Sequence, residues 1–133
     1  MKKLIFTVLT ICSLIIFMSC NREDSIAQIF IAKENEYWKY RDNCQSHGIY
    51  FKFKQGGDYD NYLRYINDGF TLFNDDGDLL SGPRSWSIKN DSTFVWDGNE
   101  CHIELLSNEK IILYYAGQEN QDCRIFLLKV VDK

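Results

Sequence analysis

The amino-acid sequence predicts an all-β domain in which an antiparallel meander of eight or nine strands closes into a small barrel. From residue 36 onward there are nine short apolar runs, and in all but the last, large apolar residues alternate with polar ones, the pattern of strands with one buried face. Phe, Trp and Tyr make up 15% of the chain, a composition that favours strands over helices. A meander that closes on itself leaves no exposed edge, so a barrel is the expected form of this sheet.

The runs follow one another along the chain and are separated by turn residues. The turns are Gln55-Gly56-Gly57, Asn67-Asp68-Gly69, Asn74-Asp75-Asp76-Gly77, Asn90-Asp91 and Asp97-Gly98. The residues expected to point into the barrel are Trp38, Tyr40, Phe51, Phe53, Leu63, Tyr65, Phe70, Leu72, Trp86, Ile88, Phe94, Trp96, Ile103, Leu105, Ile111, Leu113 and Tyr115. Nearly all of them are large, and the interior of an eight-stranded barrel is just wide enough for side chains to fill. We therefore expect a mostly filled barrel with little or no central cavity.

Five tyrosines fall outside this inward register or in loops, namely Tyr37, Tyr50, Tyr59, Tyr62 and Tyr114. An exposed tyrosine cluster can recognise a sugar or a protein, although scattered surface tyrosines are common. Recognition is therefore expected on the loops or on the outer surface of the barrel.

Two segments depart from the one-face pattern. Residues 124–131 are apolar on both faces, so something must cover the outer side of this strand. In the segment 25–33 the apolar residues have helical spacing and Ser25 is a candidate N-cap, although Ile29 and Ile31 also suit a strand. We expect a short helix here that covers the last strand. The alternative is an exposed apolar patch for a partner.

Residues 1–19 have the layout of a secretory signal peptide. Lys2 and Lys3 precede an uncharged run over residues 4–18, which is shorter than the about 20 residues that a membrane-spanning helix needs. Removal of this segment changes the formal charge of the chain from −4 to −6.

Ser19 and Cys20 resemble the lipobox of bacterial lipoproteins, in which the cysteine becomes the lipid-bearing first residue of the mature chain. The resemblance implies that lipid chains on Cys20 anchor the protein to a membrane. Residues 20–35 are then the lipidated N-terminus and tether or short helix, and residues 36–133 are the barrel domain. Plain secretion, with Cys20 as an ordinary thiol, is the alternative.

Glu23 and Asp24 resemble the acidic signals of some Gram-negative lipoproteins that reach the outer face of the outer membrane. The same two residues also suit the first turn of a helix. We expect a protein of the cell envelope of a Gram-negative bacterium, lipid-anchored to the outer membrane on its periplasmic face or at the cell surface.

The barrel segment resembles small bacterial lipoproteins with a lipocalin-like domain. The residues that carry the resemblance are Tyr37-Trp38-Lys39 in the first strand and Ser85-Trp86-Ser87-Ile88 leading into Asn90-Asp91-Ser92. Glu36 stands where lipocalins have a glycine, two residues before the first-strand tryptophan. The resemblance implies a lipocalin-like barrel and says little about function.

Three cysteines remain after Cys20, and an oxidising compartment favours one disulfide among them. With eight strands, Cys44 at the end of the first strand lies beside Cys123 at the start of the last, whereas nine strands would place them at opposite ends. Cys101 and Cys123 begin strands that are two apart, about 9.6 Å, too far for a bridge unless the loops curl inward. Cys44–Cys123 is therefore the first choice, and Cys101–Cys123 is the alternative.

Composition and motifs exclude several classes of function. An acidic chain has no electrostatic footprint for nucleic acid. No C-x-x-C, G-x-S-x-G, H-E-x-x-H or P-loop motif is present, so we expect no catalytic residue, no cofactor and no enzymatic activity. His47 and His102 lack companions for zinc, and a calcium loop aligned on Gly77 would place Leu72 and Pro83 at ligand positions. No metal is therefore expected.

The function expected is that of a lipid-anchored, non-enzymatic binding module of the cell envelope, with a protein or glycan partner. The alternative is an immunity or inhibitor protein that neutralises a toxin or hydrolase, because a mature charge of −6 can steer association with a basic partner. A small-ligand carrier is a further alternative, which the bulky interior disfavours.

Overall fold

The computed structural model of the protein describes residues 22–44, 48–74 and 84–133. Each of the nine apolar runs coincides with a strand, so the described chain is mostly β, as predicted, with one short helix, α1 (residues 22–30). The strands are β1 (Glu36–Asp42), β2 (Tyr50–Phe53), β3 (Tyr59–Tyr65), β4 (Gly69–Leu72), β5 (Trp86–Asn90), β6 (Thr93–Trp96), β7 (Asn99–Leu106), β8 (Lys110–Tyr115) and β9 (Ile125–Val131). The predicted signal peptide (residues 1–19), Cys20, His47, Gly77 and Pro83 lie outside the described residues.

All nine strands belong to one sheet, in the order β4-β3-β2-β1-β9-β8-β7-β6-β5, and every pairing is antiparallel. The chain thus forms two meanders, β1–β4 and β5–β9, which join where β1 pairs with β9. The predicted closed barrel is not observed, because β4 and β5 are the edges of an open sheet. Successive antiparallel pairing makes these two edge strands run in the same direction, so a tight hairpin cannot join them. An isolated bridge between Asp58 and Ser85 connects the two meanders among the described residues.

The β1–β9 pairing brings two cysteines together. Cys44 follows β1 and Cys123 precedes β9, and the two form a disulfide with their Cα atoms 5.6 Å apart. This is the pairing that the sequence favours, but the expectation that nine strands would separate these cysteines is wrong. That expectation assumed one continuous meander, in which the first and ninth strands run in the same direction. Here β4 and β5 run in the same direction instead, so every later strand is reversed and β9 lies antiparallel to β1.

Helix α1 covers one end of the inner face of the sheet. The Phe30 side chain is fully buried, and its ring stacks on Phe94 with centroids 4.4 Å apart. The Phe30 carbonyl oxygen accepts a hydrogen bond of 2.7 Å from the buried indole N–H of Trp38. After the helix, Ile31 forms a bridge with Phe53, which ties the segment to the end of β2.

A helix in the segment 25–33 is confirmed in part: among the described residues the helix includes 22–30 and ends before Ile31. Ser25 therefore lies inside the helix and donates a hydrogen bond to the Arg22 carbonyl instead of capping the N-terminus. The predicted position over the outer side of β9 is wrong. Its apolar side chains pack against the core on the inner face, which leaves the outer side of β9 without this cover.

The buried core consists mostly of aromatic residues. Its members are Phe30, Trp38, Phe51, Phe53, Tyr59, Trp86, Phe94, Trp96, Cys101, Ile111, Leu113, Ile125 and Leu127. Eight of the residues predicted to point inward belong to it, and Tyr40, Ile88 and Ile103 pack against it.

The inward prediction is wrong where the β3–β4 hairpin changes the register. The hairpin pairs Tyr65 with Gly69 and Arg64 with Phe70, so Phe70 and Leu72 lie on the outer face. A one-residue shift moves every following side chain to the opposite face of a strand. Tyr65 keeps the inward side but is half exposed at the end of the hairpin.

Three further residues differ from the prediction, in the face that they occupy or in their burial. A bulge after Ile103 moves Leu105 to the outer face, where it is 40% exposed. Tyr115 faces inward but is exposed at the end of β8. Tyr59, predicted outside the register, is buried in the core because it pairs with Phe53 on β2.

Candidate functional site

The β3–β4 hairpin gathers the most exposed apolar side chains of the described chain. The exposed fraction is 104% for Ile66, 56% for Leu72 and 50% for Tyr65. The other exposed large hydrophobic residues are dispersed over three strands and are Leu105, Tyr115 and Val131. Single apolar residues on a surface are ordinary, whereas a group of them marks an interaction site. We call residues 64–72 the hairpin surface.

The turn chemistry of the hairpin exposes Ile66. Residues 66–68 form the turn, and Gly69 has a φ angle of +68°, in the left-handed region that glycine adopts without steric cost. Because the chain reverses direction within three residues, the Ile66 side chain points into solvent with nothing beside it.

An aromatic stack fixes the hairpin surface to β1. The rings of Tyr37 on β1 and Phe70 on β4 lie face to face, with centroids 3.8 Å apart and planes inclined by 5°. The Lys52 ammonium lies 4.5 Å from the centroid of Tyr37, and the Arg64 guanidinium lies 5.2 Å from that of Phe70. Since each ring occupies one face of the other, the cations cover the opposite faces.

Two more tyrosines complete this outer aromatic cluster. Tyr62 meets Tyr37 edge-to-face at a centroid distance of 5.0 Å, and Tyr50 meets Phe70 in the same manner at 4.9 Å. Burial raises the pKa of Tyr37 and of Tyr62 above the usual value of a phenol. Both hydroxyls therefore stay protonated at neutral pH and can donate hydrogen bonds.

Polar contacts hold the base of the hairpin. The Asn74 side-chain oxygen accepts a hydrogen bond of 2.8 Å from the Asn61 backbone N–H, and its amide nitrogen donates to Asp60 at 2.8 Å. Arg84 donates to the Asn74 carbonyl oxygen at 2.6 Å. These bonds order the chain directly after β4 and thereby fix the direction of the hairpin.

Lys54 neutralises the two carboxylates beside the start of β3. Its ammonium lies 2.6 Å from Asp58 and 3.3 Å from Asp60. The hydrogen bond between Lys54 and Asp58 raises the pKa of the amine and lowers that of the carboxyl. Within the described ranges, no group of three or more His, Cys, Asp or Glu side chains is arranged to hold a metal ion.

The outer face of β8 and β9 forms a shallow groove of about 280 Å³. Its lining residues are Arg41, Asp42, Asn43, Lys110, Phe126 and Leu128. The Lys110 ammonium lies 5.4 Å from the Phe126 ring, and the apolar residues here are only partly buried. Because α1 packs on the inner face, this side of β9 lacks the helical cover predicted for it, and Phe126 and Leu128 here are partly buried.

The free cysteine of the described residues is not an activated nucleophile. Cys101 is fully buried in the core, and burial raises the pKa of its thiol to about 12. His102 lies 3.6 Å from the Glu119 carboxylate and packs on the Tyr114 ring at a centroid distance of 5.2 Å. Its contacts are therefore a carboxylate and an aromatic ring, not a thiol.

Part of this surface follows from the sequence and part does not. Tyr37 and Tyr62 lie off the inward register, as predicted, and the structure brings them together. Leu72 is predicted inward and is exposed instead. Ile66 belongs to no predicted run, but its position directly before Asn67-Asp68-Gly69 is a signal that identifies it as a turn residue.

Comparison with protein-family profiles, curated protein sequences and solved structures finds no match for this chain. Among the described helices there is none with the length and apolar character needed to cross a membrane. Function therefore has to be inferred from the surface and the chemistry of its residues.

The burial of Cys101 predicts an inert thiol. Iodoacetamide at pH 8 should leave Cys101 unmodified in the folded protein and should label it after unfolding, as measured by peptide mapping. Labelling of the folded protein at the rate of the unfolded chain would contradict the buried position.

The same thiol should make stability fall at alkaline pH. Its pKa rises from 9.0 to about 12 on folding, so below pH 9 both states are protonated, and above it the unfolded chain releases the proton first. Between pH 9 and 11, the free energy of unfolding of the wild type should fall more steeply with pH than that of Cys101→Ala. The difference between the two slopes should be about 1.4 kcal/mol per pH unit. Equal dependence of the free energy of unfolding on pH in the two proteins would contradict this role of the Cys101 thiol.

Proposed function

We propose that the protein is a lipid-anchored, non-enzymatic binding module of the Gram-negative cell envelope, in which the hairpin surface meets a protein partner. In this proposal Cys20 carries the lipid and the sheet belongs to a lipocalin-like domain. The outer membrane is the proposed location. The single observation that carries the binding role is the exposure of Tyr65, Ile66 and Leu72 in one hairpin.

The hairpin surface favours a protein over a glycan. Sugars bind by stacking on open aromatic faces, but the faces of Tyr37 and Phe70 are covered by each other and by Lys52 and Arg64. Two of the three exposed side chains of the hairpin, Ile66 and Leu72, are instead aliphatic, and such groups gain free energy when another protein surface removes them from water.

The position of β4 at an edge of the sheet supports the same conclusion. On its outer side β4 has no neighbouring strand among the described residues. Its free backbone N–H and C=O groups can pair with an extended segment of another chain, a common mode of recognition. A partner that adds a strand here would also cover Leu72.

An immunity or inhibitor protein is the second candidate. The charge of −6 after removal of residues 1–19 favours it, because a negative chain steers association with a basic enzyme or toxin. The hairpin surface could serve either role, so the identity of the bound protein distinguishes them.

A photo-crosslinking amino acid should capture the partner at the hairpin. Placed at position 66 or 72 of the full chain in the producing bacterium, it should give adducts with the same protein, identified by mass spectrometry. Val131, with an exposed fraction of 50%, is the matched control position and should give no such adduct. Ile66→Asp should then weaken binding of that purified protein about tenfold or more, whereas Val131→Asp should leave it unchanged.

Absence of adducts at both hairpin positions, or the same adducts at position 131, would overturn the assignment of the surface. Adducts with glycan alone would overturn the choice of a protein partner. A hydrolase or toxin in the adduct would identify the inhibitor role.

Substitution of Cys20 should release the protein from the membrane. Cys20→Ser should lose metabolic labelling with an alkyne analogue of palmitate and move to the soluble fraction, because one or more acyl chains supply the anchoring. Cys101→Ala is the control and should keep both the label and the membrane location. A Cys20→Ser protein that remains labelled and membrane-bound would contradict the anchor.

A further inference from the structure

A cavity of about 220 Å³ opens at the inner face of the sheet. The cavity lies beside the β6–β7 turn, at one end of β6. Helix α1 lies near the other end of β6, where Arg22 contacts Asp91 in the β5–β6 turn. Five of the lining residues are aromatic: Tyr40, Phe51, Tyr59, Trp96 and Tyr115. We call this region the aromatic mouth. Little or no cavity is expected from the sequence, and the volume is below the about 300 Å³ at which pockets for drug-sized ligands begin.

The rings of the aromatic mouth are arranged around Trp96. Its centroid lies 4.9 Å from that of Phe51, 6.0 Å from Tyr59 and 6.2 Å from Tyr40, each in a steep edge-to-face orientation. Together with Tyr115, these rings line one open volume. Such a space attracts a cation, because the face of each ring carries partial negative charge.

Two carboxylates adjoin these rings. Asp97 lines the cavity and accepts a hydrogen bond of 2.6 Å from the Tyr59 hydroxyl. Asp42 accepts one of 3.0 Å from the Tyr40 hydroxyl. Burial raises the pKa of both tyrosines, and the adjacent carboxylates raise it further.

Among the described residues, no basic side chain lines the cavity, although the Arg84 guanidinium is near enough to Tyr59 to lower the pKa of its hydroxyl. Neither Asp42 nor Asp97 forms an ion pair within the described ranges. Other carboxylates of the sheet do have partners, such as Glu104 with Arg124 at 2.6 Å. The aromatic mouth is therefore a negative region with an open volume.

The backbone holds Asp97 in this position. Asp97 and Gly98 form the β6–β7 turn with φ angles of +49° and +80°, and the second carboxylate oxygen of Asp97 accepts the Ser85 N–H at 3.0 Å. A left-handed conformation is costly for most residues other than glycine, asparagine and aspartate. The turn therefore fixes the carboxylate at the cavity before any ligand arrives.

We infer that the aromatic mouth binds a small organic cation, of the quaternary or primary ammonium class, between the Trp96-centred rings and the carboxylates of Asp42 and Asp97. Its volume of about 220 Å³ suits an ammonium head group. A neutral sugar would bring no positive charge to the two carboxylates. This site is independent of the proposed function, because it lies beside the β6–β7 turn, whereas Phe70 and Leu72 of the hairpin surface lie on the opposite face of the sheet.

Titration with choline tests the inference, with 3,3-dimethyl-1-butanol as the neutral molecule of the same shape. The full chain, purified in a non-ionic detergent, gives three tryptophan indole N–H signals in a ¹⁵N NMR spectrum. Choline should shift the signal of Trp96 and leave those of Trp38 and Trp86, which are bonded to backbone carbonyls. The neutral analogue should bind about tenfold more weakly or not at all.

Variants assign the charge requirement to the two carboxylates. Asp97→Asn keeps a residue that tolerates the left-handed turn, and Asp42→Asn is an independent second variant; each should weaken choline binding about fivefold. Asp91→Asn is the matched control at the β5–β6 turn, where it breaks an exposed pair with Arg22, and it should bind as the wild type does.

Three results would overturn the inference. The first is an unchanged Trp96 signal at saturating choline, and the second is equal affinity for choline and its neutral analogue. The third is wild-type affinity in both folded variants, Asp97→Asn and Asp42→Asn. If one of these variants fails to fold, the other decides the charge requirement.

Discussion

Burial of Phe30 against the inner face of the sheet is the interaction on which the rest of the structure depends. An open sheet cannot keep water from both of its faces, and α1 supplies the missing cover at one end. The Phe30 ring contacts Phe53, Trp86 and Phe94 at centroid distances of 6.0, 6.0 and 4.4 Å. Full burial of such a side chain contributes about 1.5–3 kcal/mol. The segment before β1 is thus part of the core and not merely a tether.

This packing divides the surface into regions with different chemistry. Helix α1 covers the inner face near the β5–β6 turn, and the aromatic mouth opens on the same face beside Asp97. The helix leaves the outer face uncovered, so the groove on β9 and the hairpin surface remain available to partners. Rigid strands support both regions, and the disulfide of Cys44 fixes the junction between the two meanders.

The sequence predicts elements better than it predicts the faces of their side chains. Alternation identifies eight of the nine strands, because one buried face imposes a period of two, and β9 is identified by its continuous apolar run. It cannot foresee the hairpin register that turns Phe70 outward or the bulge that exposes Leu105, since each depends on pairing between strands. The aromatic mouth cannot be predicted from the sequence for the same reason. Its residues Tyr40, Tyr59 and Trp96 come from three strands that are distant in the chain.

Denaturant unfolding of Phe30→Ala tests the central role of this contact most directly. The full chain in detergent, with its disulfide intact, should lose about 3–5 kcal/mol of unfolding free energy, because the cavity left by the ring cannot refill. Phe126→Ala, which truncates a partly buried ring on the outer face, should lose less than half as much. Equal losses in the two variants, or a loss below about 1 kcal/mol for Phe30→Ala, would contradict the account.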